Sequence, residues 1–109
     1  MFFYKKLYVS DSLVSCTKKV CWNLKHNRGQ LDIYVIALSK GNDLFDIFHC
    51  GLLKQKSFPR KELHVMGIAK GYEEAVELSV RMVKDFHDRY GIMQFKEEFF
   101  KQEEKSFRR

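Results

Sequence analysis

At 109 residues and 45% hydrophobic content, the chain is long enough for one domain with its own core and too apolar for a disordered polymer. A formal charge of +6 leaves room for acidic partners such as nucleic acid, an acidic protein or an anionic surface, and requires none of them. No apolar run approaches the roughly 20 residues of a membrane-spanning helix. Three cysteines without a signal-peptide pattern point to a reducing, cytoplasmic setting.

Phe2–Val9 reads as a strand. Phe3, Leu7 and Val9 share a face with Lys5, and Tyr4 and Tyr8 share the other with Lys6, a pattern suited to a sheet edge. Asp11 or Ser12 offers an N-cap to a helix over Ser12–His26, in which Leu13, Cys16, Thr17, Val20 and Leu24 recur at helical spacing. Asn27 and Gly29 supply its stop signals. Leu31–Ser39 is a strand with two apolar faces, hence a central one, beside a second such strand at Leu63–Ala69. There Leu63, Val65 and Gly67 alternate with His64, Met66 and Ile68. Between them, Leu44–His49 fits a hairpin strand after Lys40-Gly41-Asn42-Asp43 better than a helix over 44–53. Gly51–Arg60 reads as a loop with one helical turn, closed by Phe58-Pro59.

Gly67 and Gly71 then frame a turn into a long amphipathic helix ending at Gly91. Its predicted buried face is Tyr72, Ala75, Val76, Ser79, Val80, Val83, Phe86, His87 and Tyr90. Glu73, Glu77, Arg81, Lys84 and Asp88 form its wet face. Residues 1–91 therefore make a single domain, and 92–109 an amphipathic helical tail packed on that domain or on a second subunit. The order predicts an α+β fold: a two-layer sandwich with a mixed sheet of about four strands and helices packed on one face. A helical 44–53 would instead give an α/β fold with a three-strand parallel sheet.

No set of residues reads as catalytic, cofactor-binding or metal-ligating. The turn containing Gly67, Lys70 and Gly71 is a candidate anion cradle, and would then take a phosphate or nucleotide ligand. It matches no phosphate-loop motif, and Glu73 and Glu74 already complement the helix dipole. Cys16 and Cys21 stand about 140° apart on a helix, and no C-x-x-C pair exists, so neither a metal nor a cofactor is expected. The four histidines are scattered. Asp32 and Asp46 could approach across the hairpin.

Two basic sets remain: Lys18, Lys19, Lys25 and Arg28 on the first helix, and Lys54, Lys56, Arg60 and Lys61 in the loop before the second central strand. Trp22 and Phe58 are interleaved with them. Basic plus aromatic residues fit nucleic acid through phosphate contacts and base stacking, and fit a solvated surface as well. Phe95, Phe99, Phe100 and Phe107 make the tail a candidate interface.

At Gly67–Leu78 (GIAKGYEEAVEL) and Val20–Leu38 (VCWNLKHNRGQLDIYVIAL) the chain resembles small uncharacterised bacterial proteins of about this length. The resemblance implies a bacterial cytoplasmic protein and carries no activity with it. The function expected is a non-catalytic binding or protein-interaction module, able to self-associate, whose partner is protein. Nucleic acid at helix 12–26 and loop 54–61 is the main alternative.

Overall fold

The computed structural model describes residues 1–39, 44–90 and 107–108. Its elements are β1 (Phe2–Val9), α1 (Thr17–Lys25), β2 (Ile33–Leu38), β3 (Phe45–His49), β4 (His64–Lys70), α2 (Tyr72–Tyr90) and a short β5 (Phe107–Arg108). Among the described residues, 3-10 helices lie between them at Asp11–Cys16, Cys50–Lys54 and Arg60–Glu62. The sheet runs β3-β2-β4-β1-β5. β1 and β4 are parallel, and the other neighbours are antiparallel. The α+β class and the mixed sheet of four principal strands follow the sequence expectation, and 45–49 is the hairpin strand rather than a helix. The loop at 40–43 and the tail at 91–106 lie outside the described residues, as do Phe95, Phe99 and Phe100.

The layering differs from the expectation that the helices share one face. β2 and β4 are apolar on both sides, so both faces of the sheet need cover. One face packs Phe3, Val35, Val65 and Ile68 against Leu13, Val20 and Leu24 from the first 3-10 helix and α1. The other packs Tyr4, Ile36 and Met66 against Ala75, Leu78, Met82 and Phe86 from α2. The sheet is therefore sandwiched between α1 and α2. A register shift around Met66 breaks the expected alternation, so that Ile68 joins the face of Val65.

The buried stripe of α2 also differs. Ala75, Leu78, Met82 and Phe86, spaced by three and four residues, face the core, and Leu78 and Met82 were absent from the expected face. Tyr72, Val76, Val80, Val83 and His87 are exposed.

The first helix begins late. Asp11–Cys16 is 3-10, and the α-helix proper starts at Thr17. Its C-terminus follows the sequence signal. Asn27 takes φ 55°, its amide bonds the Leu24 carbonyl, and the Arg28 amide reaches back to the Asn23 carbonyl. These are the paired bonds of a Schellman stop, in which Asn is one of the few residues to accept a left-handed backbone.

Gly71 has φ 80°, and nothing lies within 4 Å of where its Cβ would stand. The restriction there is therefore conformational rather than steric. Gly71→Ala is expected to cost about 1–2 kcal/mol in unfolding free energy despite the open space, as read by chemical denaturation.

On the α2 side, the Tyr8 hydroxyl donates to Asp85 at 2.9 Å. Burial first, and then this hydrogen bond and the carboxylate charge, push the Tyr8 phenol from its usual 10.0 up to about 12. A folded-state pKa above the unfolded value stabilises the fold below pH 10, a contribution lost as pH rises towards 12. Because Tyr8 is only part-buried, the share lost is on the order of 1 kcal/mol or less. Unfolding of wild type and Tyr8→Phe at pH 9 and at pH 11.5 checks this: the gap between the two proteins should narrow at the higher pH.

Candidate functional site

A broad concavity lies between β1 and α1. It is an open cleft of about 1100 Å³ whose walls carry Lys5 and Lys6 from β1 and Lys18, Lys19 and Lys25 from the helical segment. Its floor is apolar, with Leu7, Val9 and Cys16 among the lining residues. The first wall owes its shape to an irregular strand. Phe3 pairs with Val65 and Tyr8 with Gly67, so Tyr4–Leu7 stand opposite Met66 alone. This bulge carries Lys5 and Lys6 away from the ladder, and both are exposed. In the sequence these lysines, one on each face of the strand, suit a sheet edge. The signal for a second role was their facing a helix rich in the same charge.

Trp22 stands at the rim, 47% exposed. Its ring stacks on His26 at 4.0 Å between centroids, and the Arg28 guanidinium sits over it at 4.9 Å. The Lys25 ammonium lies 5.4 Å from the Phe3 ring centroid, its stem covering apolar surface. Aromatic planes and cations thus share one end of the cleft.

Part of the second basic set lies at the C-terminal end of α1. The Arg60 guanidinium donates to the carbonyls of Leu24 and Lys25 in the last turn of α1, the Leu24 carbonyl accepting from the Asn27 amide as well. Arg60 is therefore a clamp on the end of α1. Lys54 lies against the following turn, its ammonium 3.2 Å from where a Cβ on Gly29 would be. Lys56 and Lys61 are exposed, and the chain's N-terminal amine donates to the Lys61 carbonyl at 3.1 Å. Phe58 packs on Phe48 instead of joining the cleft.

The Gly67–Gly71 segment is built differently from a phosphate loop. Gly67 lies inside β4, where an added Cβ would sit 3.2 Å from Met82 Sδ and 3.3 Å from the Tyr8 carbonyl oxygen. Its smallness lets α2 and β1 approach. At the turn itself, the Lys70 amide donates to Ser10 Oγ at 3.2 Å and the Gly71 amide to the Asp32 carbonyl at 2.6 Å. Glu74 accepts from the Ser12 hydroxyl at 2.9 Å. The Lys70 and Gly71 amides are thus committed within the fold.

The remaining candidates have structural partners. His49 Nδ1 accepts from the Gly51 amide, His64 stacks on Phe2, and Cys50 is buried with its thiol towards the Gln30 carbonyl. Asp46 pairs across from Ala37 in the hairpin, which separates it from Asp32 by several residues of strand, so these carboxylates do not converge. Among the described residues no group of His, Cys, Asp or Glu could hold a metal ion, and no helix is long and apolar enough to cross a membrane. Of the tail phenylalanines, Phe107 is described. It lies in an extended strand beside β1 and packs on Tyr4 at 5.6 Å and His64 at 4.9 Å.

Comparison with protein-family models, curated proteins and solved structures finds no match for the chain.

Proposed function

We propose that this protein is a binding domain without catalysis of its own, acting in a bacterial cytoplasm, and that the β1–α1 cleft is its surface for single-stranded nucleic acid. The observation that carries the reading is convergence. Lysines from two elements, Lys5 and Lys6 on β1 and Lys18, Lys19 and Lys25 on the helical segment, line one cleft with Trp22 at its rim. Single strands ask for this combination: a cationic groove along the phosphates, and planar side chains on which bases stack. The cleft's open form suits a polymer that passes through, in contrast to the enclosed pocket that a small ligand requires.

The test is an anisotropy titration of a labelled single-stranded oligonucleotide, DNA and RNA in parallel, across a salt series. Binding in the micromolar range at low salt is expected, with a steep negative dependence on salt concentration. Trp22 fluorescence should change on saturation, because it is the chain's only tryptophan and stands at the rim. Absence of binding at low salt would end the reading. Capture of an acidic protein without any oligonucleotide binding would reassign the cleft to a protein partner.

A further inference from the structure

The outward side of α2 carries apolar residues that lie outside both core clusters of the described residues. Val76, Val80 and Val83 are 36%, 64% and 38% exposed. Together with exposed His87 they are spaced by four, three and four residues. This is the spacing of a coiled-coil seam, the alternation that keeps one stripe facing a partner helix over successive turns. It is separate from the stripe of Ala75, Leu78, Met82 and Phe86 that packs on the sheet. One helix therefore has two apolar stripes, of which one belongs to the core formed by the described residues.

The charges beside the seam favour one occupant and one orientation. On its solvent side stand Glu77 and Lys84, of opposite sign and seven residues apart, both exposed. On its other side stand Ser79, part-buried, and Phe86, buried against the sheet. When two copies of α2 pair antiparallel about a two-fold axis, each flank meets the same flank of the other copy. Glu77 of each chain then faces Lys84 of its partner, twice over, while Val80 packs against Val83 and Val76 against His87. A parallel pair would set Glu77 and Lys84 against the Ser79 and Phe86 side, where there is no charge to meet. We infer that α2 is a self-association surface, and that two copies of this chain pair antiparallel through Val76, Val80 and Val83, registered by reciprocal Glu77–Lys84 contacts.

The arrangement leaves α1 and its cleft free, because the sheet separates the two helices. A dimer would present two clefts on opposite outer sides, and a strand long enough to reach both would bind with added avidity. The inference stands independently of what the clefts hold.

Sedimentation of the full-length chain from micromolar to millimolar concentration tests it. A monomer–dimer equilibrium is expected. Val80→Glu should raise the dimer dissociation constant by about a hundredfold, since each dimer contains two copies of the change, while thermal unfolding of the monomer stays unaltered. Glu77→Lys alone and Lys84→Glu alone should each weaken the dimer by about two- to tenfold, and the double exchange should restore it. A chain that remains monomeric throughout overturns the inference. So does a dimer indifferent to Val80→Glu, or one that the double exchange leaves as weak as either single change. If the chain is monomeric and Val80→Glu lowers its thermal stability, the stripe is covered by other residues of the same chain.

Discussion

Replacing Phe86 by Ala is expected to lower the unfolding free energy by about 3–5 kcal/mol, the range for deleting a buried aromatic side chain. Phe86 is fully buried and lies where two strands meet α2. Its ring centroid is 6.3 Å from that of Tyr4, 5.8 Å from Tyr8 and 5.8 Å from Phe45, on β1, β1 and β3 respectively. The ring therefore ties the two ends of the sheet to one helix, and its removal leaves a cavity that those rings cannot jointly close. Against the 5–15 kcal/mol typical of a domain, this loss brings the protein close to its unfolding threshold. Val80→Ala on the same helix is the control and should shift monomer stability by less than about 0.5 kcal/mol, because Val80 faces solvent. Urea unfolding of both variants measures the contrast. A large loss at position 80 and a small one at 86 would reverse the assigned faces of α2.

The second large effect concerns the cleft. Lys18→Glu combined with Lys19→Glu should weaken oligonucleotide binding by nearly two decades at low salt, since each single-strand phosphate contact contributes close to one decade there through counterion release. The slope of log affinity against log salt should become shallower by about the two lost contacts. Both lysines are exposed, so melting temperature should scarcely move. Arg60 would be the wrong residue for this experiment, because its clamp on the α1 carbonyls makes any loss of binding inseparable from a loosened helix. Anisotropy titrations at several salt concentrations, paired with thermal melts, decide the matter.

Much of the fold was legible in local patterns. The two-faced apolar runs of Ile33–Leu38 and Val65–Ala69 specified central strands, and Asn27 marked the end of α1. The same two-faced runs also implied cover on both sides of the sheet, although a one-sided arrangement of helices was the expectation drawn. The buried face of α2 was not legible for a physical reason. Val76, Val80 and Val83 satisfy helical periodicity as well as Ala75, Leu78, Met82 and Phe86 do, and periodicity alone cannot say which of two stripes meets a sheet. The cleft was half visible. Two basic sets could be read from the chain, but the placing of part of the second at the end of α1 depends on tertiary contacts, the Arg60 clamp and the approach of Lys54 to Gly29, which no local rule encodes. Lys5 and Lys6 needed the β1 bulge before they could be assigned to a wall of the cleft.

The parallel pairing of β1 with β4 also has a consequence in time. The amine of Met1 closes on the carbonyl of Lys61, sixty residues later, and the strand that follows that carbonyl is the one on which β1 lies. During synthesis β1 therefore has no partner until β4 has left the ribosome, whereas β2 and β3 can zip together at once as a hairpin. For that interval Phe2, Phe3 and Tyr4 lead an unpaired, aromatic strand, and the basic cleft, which needs β1 as a wall, does not exist. Lys5 and Lys6 then serve as gatekeepers, interrupting the aromatic run with charge and keeping the waiting strand from pairing with another of its kind.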